Sequence, residues 1–383
     1  MGKSSKLVST QGTVVTSVAP HRTLAPRWVD ARSLSDMSRL QASWRRVRAE
    51  GFTPSEFRSI CVAALVLLGA IVVTGGLVRL TGSGLGCNDW PNCNNTKIVD
   101  VSTKHAAIEQ INRLFTFLVS IGVALAALAA WFRRPRRRDL LLFSLVMLVG
   151  VPAQGVVGAV VVWSKLHPAL VQVHFVLSMV LVWAAVMMLV RSREPDNGRR
   201  VSAVVPRIRR RVRLLAAWTT LAVLAGTVVT GTGPHAGKTL KDAAGNCIVT
   251  DEAAKRFFGK ECEINGNALV WVTRVHGTIV WITVAIAFTL LWHLRRLRHD
   301  REVLDAPLTA WLLTAIVQGA IGYVQYSNGL PVGLVALHLA GATVLVGCTA
   351  WLWASTTKVS VSAAQALDEL AELVDQRREE VPD

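Results

Sequence analysis

Residues 154–158 read Gln-Gly-Val-Val-Gly and residues 318–322 read Gln-Gly-Ala-Ile-Gly. A histidine stands 20 positions after each glutamine, at His174 and His338. Further out the same order recurs. Val72-Val73-Thr74-Gly75 in the first apolar block is matched by Val228-Val229-Thr230-Gly231 in the fifth, and the loop after each carries a cysteine pair. Correspondences repeated in one order mark a duplicated unit. The copies lie in apolar blocks of about 20 residues, the length a helix needs to cross roughly 30 Å of hydrocarbon. Eight such blocks run over 58–80, 106–131, 140–163, 168–190, 213–232, 268–292, 307–326 and 332–354. Lipid admits only helices or closed barrels, and blocks this long and continuous mean helices. The expectation is an all-α polytopic membrane protein of eight transmembrane helices in two tandem four-helix bundles. Each unit has an even number of helices, so both share one orientation, related by an axis along the membrane normal.

The 383 residues carry a net charge of +17, which raises nucleic acid as a partner; the placement of the charge argues against it. Arginines crowd the segment before the first block (Arg45, Arg46, Arg48) and the loops after the second (Arg133 to Arg138), fourth (Arg191 to Arg213) and sixth (Arg295 to Arg301). These segments share one side of the membrane. On the opposite side the short loop after the third block has Lys165, and the loop after the seventh has no Lys or Arg. The positive-inside rule then puts both termini in the cytoplasm of a multi-pass cell-membrane protein. Five segments are expected: a disordered cytoplasmic extension 1–57, an N-terminal half 58–191, a basic linker 192–212, a C-terminal half 213–355, and a tail 356–383 with a short amphipathic helix over 363–378. No apolar core precedes residue 58 to suggest a signal peptide.

Histidines at membrane depth carry the chemistry. His276 stands 62 residues before His338, and the same step back from His174 reaches Asn112. Two neutral imidazoles on facing helices can clamp a haem iron, and a bundle interior is where such cofactors are held. The plainer reading is a hydrogen bond to a neighbouring helix. The duplicated layout favours haem ligation by His276 and His338, with His174 repeating the motif. Glu109 is an ionisable group inside a membrane segment, a functional candidate by default. It stands one turn from Asn112, with Arg113 at i+4, so a simple helix-end ion pair competes with a carboxylate facing the pocket. His105, His167, His235, His293 and His299 read as surface residues.

Cys87 and Cys93 frame Asn-Asp-Trp-Pro-Asn in the first outer loop, and Cys247 and Cys262 lie in the third. On that side disulfides persist, and neither pair has the close spacing of a zinc site. One disulfide per half is expected, with metal binding as the competing view and redox activity left open. Cys61 and Cys348 read as ordinary core residues.

Taken together, Glu109-Gln-Ile-Asn-Arg113, His174 in Gln-Val-His-Phe, His276 in Arg-Val-His-Gly, His338 in Ala-Leu-His-Leu, the Thr-Gly-Ser-Gly run at 81–84 and Cys87/Cys93 resemble heme A synthase of the eight-helix bacterial type, over roughly residues 58–354. The resemblance implies an oxidoreductase that converts the C8 methyl of heme O to a formyl group by successive hydroxylations, giving heme A for cytochrome c oxidase. It implies haem b as cofactor on His276 and His338, His174 as ligand of the substrate haem, Glu109 as catalytic carboxylate, and outer-loop cysteines in disulfides. Where many members have a histidine, this chain has Asn112, a poor iron ligand; the first site is then not bis-histidine, and either the substrate iron is five-coordinate on His174 or Asn112 contributes only a hydrogen bond. Arg79 and Arg274 are candidates for haem propionates, with lipid headgroup anchoring as the alternative, and Arg113 joins the pocket list. The implied partners are heme O, an unidentified electron donor, heme O synthase, the lipid bilayer and a second copy of the chain. Competing functions are a two-haem electron carrier, a membrane thiol oxidoreductase using the outer-loop cysteines and, more weakly, a transporter.

Overall fold

The computed structural model describes residues 41–42, 45–232, 240–241, 247–248, 255–256, 259–260 and 266–361. Eight helices among them are long and apolar enough to span a membrane: α1 Pro54–Leu80, α2 Lys104–Phe132, α3 Arg138–Trp163, α4 Pro168–Arg191, α5 Pro206–Thr232, α6 Gly266–Leu294, α7 Arg298–Ser327 and α8 Val332–Ala354. Their outward faces stay apolar; Phe117 is 69% exposed and Ile316 67%. In water such surfaces would be a liability, and in lipid they are the solvent-facing side. The protein is an all-α, multi-pass membrane protein.

Local signals place the ends. Thr53 and Glu56 form a reciprocal capping box ahead of Pro54, which satisfies two otherwise orphaned backbone donors. Gly82, at φ +68°, turns the chain out of α1, and the Ser83 amide donates back to the Val78 carbonyl at 2.8 Å; a residue with a Cβ resists that left-handed conformation. Two helices outrun their apolar blocks. α5 begins at Pro206 rather than 213, and α7 at Arg298 rather than 307. Hydropathy registers only the part of a helix that lies in lipid, whereas arginine and glutamate sustain helix well beyond it; Arg298 and Glu302 pair at 3.1 Å across one such turn. The linker therefore shortens to 192–205, and it is not featureless. Strand β1, Arg199–Ser202, pairs antiparallel with β2, Thr357–Ser360, at the start of the expected tail. Before α1, residues 45–50 are helical.

Within each half the helices close a ring: α1–α2–α3–α4 and back to α1, and α5–α6–α7–α8 and back to α5. The α6–α7 contact is much slighter than its counterpart α2–α3. Between the halves α4 packs on α8, α1 on α8, and α5 on α4. Exchanging the halves maps α1–α8 onto α5–α4 and α4–α8 onto itself, as two-fold related repeats require. Gly76 admits Leu339 of α8 so closely that a Cβ there would lie 2.8 Å from its Cδ2. Gln172 of α4 donates to Thr227 Oγ1 of α5 at 2.5 Å.

The two cores share a bias along the helix axes. In the first half buried apolar side chains occupy Phe57–Val72, Val119–Ala130, Leu140–Val151 and Met179–Met188. In the second they are Val204–Leu215, Ala287–Leu294, Leu304–Trp311 and Leu352. Both sets lie toward the arginine-rich end. That end is tied by ion pairs that charge counting alone misses: Arg133–Asp196 at 2.7 Å, Arg137–Asp139 at 2.8 Å and Arg200–Glu194 at 2.6 Å. Burial alone would lower the Arg137 pKa, but its bond to Asp139 and the charges of Asp139, Glu194 and Asp196 hold it above the ordinary value.

Candidate haem site

At the other end of the helices the packed cores give way to a different construction. His174 and His338 are each in the second turn of their helices, α4 and α8, while Asn112 and His276 are about three turns into α2 and α6. Each side chain rests on a glycine of the preceding helix. A Cβ added at Gly158 of α3 would lie 3.6 Å from His174 Cε1, one at Gly322 of α7 3.4 Å from His338 Cε1, and one at Gly226 of α5 3.2 Å from His276 Cε1. The fourth seat is Gly75 of α1, where a Cβ would lie 3.9 Å from Asn112 Nδ2. Glycine is what lets a ring lie against a helix backbone; Ala222 and Gln318, one turn before Gly226 and Gly322, turn backbone groups to His276 and His338. One turn earlier on α3 and α7, a Cβ on Gly155 or Gly319 would meet nothing within 4 Å, so open space adjoins two of the seats.

The opening motif has a direct structural meaning. Gln154 Nε2 donates to the His174 carbonyl at 3.0 Å, and Gln318 Nε2 to the His338 carbonyl at 2.8 Å. In both halves an amide on the third helix of the bundle fixes the register of the histidine-bearing fourth. Gln154 also donates to Ser178 Oγ at 2.7 Å; the matching position in the second half is Ala342. His276 and His338 are near enough to interact electrostatically, as two groups of one pocket would.

Polar atoms here are left over. The Nδ1 atoms of His174, His276 and His338, the Oε1 atoms of Gln154 and Gln318, and Asn112 Oδ1 are buried without a hydrogen-bond partner. Unmet polar atoms deep in an apolar bundle are costly, and they point to a group that completes the site. Among the described residues no three His, Cys, Asp or Glu side chains gather as a metal centre. One or two imidazoles with open space beside them suit iron already held by a porphyrin, so the donor set fits haem.

Glu109 does something the linear sequence only half suggests. It is buried; Oε1 accepts from Arg113 Nη2 at 2.8 Å and Oε2 from the Cys87 amide at 2.8 Å. Arg113 goes on to donate to the carbonyls of Asn92 and Asp89, each at 3.1 Å. Cys87 and Cys93 are disulfide-bonded with Cα atoms 4.3 Å apart, so the helix-end ion pair clamps the whole disulfide loop onto α2. The loop reaches across the bundle, where Gly84 packs under Leu166 of the α3–α4 turn. His105, expected at the surface, is half-buried and bonded through Nδ1 to Ser83 Oγ at 2.9 Å. Arg79 is half-buried near the end of α1; Arg274 is exposed on α6. His167, His293 and His299 are exposed. The Cys247–Cys262 pairing and His235 lie outside the described residues, apart from the backbone of Cys247. A cavity of about 180 Å³ lined by Leu291, Arg295, Arg301 and Asp305 lies at the arginine-rich end, away from His174, His276 and His338.

Sequence comparison meets this geometry. A profile of the cytochrome oxidase assembly proteins matches residues 58–110 and 98–261, more than half of the chain. The chain belongs to the cytochrome oxidase assembly protein family. Relatives of this chain are named heme A synthase. That of Listeria welshimeri is 30% identical over 174 residues, 44% of this chain and 56% of the relative, so the match spans little more than half of that protein. That of Lysinibacillus sphaericus is 27% identical over 286 residues, 73% of this chain and 86% of the relative. That of Alkalihalophilus pseudofirmus is 25% identical over 269 residues, 69% and 86%. The glycine seats escaped sequence reading. Gly158 and Gly322 stand inside the repeated motif, but a glycine in an apolar helix signals nothing until the facing ring is known.

Proposed function

We propose that this protein is a heme A synthase of the cell membrane, with both termini cytoplasmic. It would convert the C8 methyl of heme O to a formyl group by two hydroxylations and loss of water. The observation that carries the reading is the pair of glycine-seated histidines in the second half whose Nδ1 atoms are buried without a partner, repeated with one histidine in the first. The relatives' names point the same way.

In this reading His276 and His338 hold haem b, and His174 holds the substrate haem in the first half. The bound iron porphyrins supply the redox chemistry; the chain positions, shields and charges. Gln154 and Gln318 set the ring-bearing helices in register. The disulfide loop, clamped by Glu109 and Arg113, closes the outer end of the first bundle and keeps water from the substrate. Glu109 is the proposed catalytic carboxylate. Both of its oxygens are engaged, so it serves as a placed negative charge rather than a free proton carrier. Arg79 and Arg274 are proposed partners of haem propionates, Cys247 and Cys262 a second disulfide, and heme O synthase the supplier of substrate.

The test is expression with and without a heme O synthase, followed by extraction and chromatography of the bound haems. Heme A is expected with the native chain and heme O, and its loss in Glu109→Ala. Unmodified haem b alone, whatever the supply of heme O, would instead make the protein a two-haem electron carrier.

A further inference from the structure

The two pockets share one frame, and one position at which they differ decides what iron there can do. Asn112 and His276 are 164 residues apart, the same step that separates Gln154 from Gln318 and His174 from His338. Each stands on the second helix of its half and rests on a glycine of the first. The seats differ in tightness: the Cβ test gives 3.2 Å at His276 and 3.9 Å at Asn112. An asparagine amide is not among the side chains that hold haem iron, which are His, Cys, Met and Tyr. It offers a carbonyl acceptor and an NH2 donor, and here Oδ1 is buried without a partner. No other ligand type takes its place among the described residues of the half. Met147, Met179, Met187, Met188 and the free Cys61 are buried toward the opposite end, and Cys87 and Cys93 are bonded to each other. His105, two turns up the same face of α2, is tied to Ser83.

We propose that the first half holds its haem on His174 alone, leaving the opposite axial position open to a small exogenous ligand beside the Asn112 amide, while His276 and His338 fill both positions in the second half. This rests on the haem reading given above. Asn112 then gives the substrate-side iron a vacant coordination position and a hydrogen-bonding neighbour, and the second iron is closed to everything but electrons.

The experiment uses the full-length protein purified from cells co-expressing a heme O synthase, with carbon monoxide added to the reduced form and cyanide to the oxidised form, followed by visible and electron paramagnetic resonance spectra. One haem per chain is expected to be high-spin and to respond to both probes, and the other to be low-spin and silent. Asn112→His should turn the first haem low-spin and abolish its response, with the unchanged spectrum of the second haem reporting an intact fold. The reciprocal His276→Asn should make the second haem responsive and roughly double the carbon monoxide signal. Two silent low-spin haems in the native chain would overturn the proposal, as would a response untouched by Asn112→His or one that emerges only in His105→Ala. A chain that binds no haem would sink this proposal and the haem reading together. A responsive haem O that is never converted to heme A would sustain the open position and defeat only the synthase reading.

Discussion

The two halves share a frame and differ in how they finish it. Both lock a histidine-bearing fourth helix with a glutamine from the third, both seat a second-helix side chain on a glycine, and both concentrate their packed core at the arginine-rich end. At the other end the first half has Asn112, a buried Glu109–Arg113 clamp and a disulfide loop drawn over the bundle. The second half has His276, with Thr273 in the place of Glu109, and a looser α6–α7 junction. Duplication supplies a scaffold with two equivalent pockets; in the proposed reading a few substitutions at one level make one a place to keep a haem and the other a place to work on one.

That contrast can be broken most sharply at the iron. Replacing both His276 and His338 with Ala should empty the second pocket and leave the first filled, cutting haem content from two per chain to one, as a haemochrome assay would read; equal loss from both pockets would mean that the halves are not independent sites. Crowding the seats should come next. Gly226→Leu pushes into a ring already 3.2 Å from a notional Cβ, and second-pocket haem affinity should fall by about 10- to 100-fold, as when a ligand's supporting contacts are lost. Gly75→Leu, with the slacker seat, should cost the first pocket less.

A smaller effect tests the clamp. Glu109→Gln keeps the shape but leaves the half-buried Arg113 without its anion, at a cost of about 1–3 kcal/mol. Faster proteolytic cleavage within 87–93 is the readout. Thr273→Val at the matching position should be neutral or slightly stabilising, because Thr273 Oγ1 is buried without a partner. Gln318→Leu removes one neutral hydrogen bond, worth about 1 kcal/mol. Gln154→Leu should lower the melting temperature more, since Gln154 bonds both the His174 carbonyl and Ser178.

Much of this was legible from composition and spacing, and some was not. The eight spans and the duplicated Gln-to-His step could be read directly, since length, apolarity and repetition are properties of the chain in order. Helix starts at Pro206 and Arg298 were hidden because their first turns lie beyond the apolar blocks. The ion pairs among Arg133, Arg137, Arg200, Asp139, Glu194 and Asp196 were hidden behind the excess of arginine. Glu109 looked exceptional for being charged at membrane depth; that it binds the Cys87 amide depends on a loop folding back 22 residues, which no local pattern announces.

Sequence by itself settled that this chain crosses a membrane eight times in two copies of one unit, because transfer of apolar side chains into lipid is decided residue by residue. It also marked the position at which the copies part, Asn112 against His276, since a register of 164 can be counted. Only the tertiary structure decided which glycine faces which ring, which carbonyl each glutamine holds, and what the buried carboxylate clamps. Those are pairings between helices, and their energies come from distances across the bundle that exist only once the helices have packed.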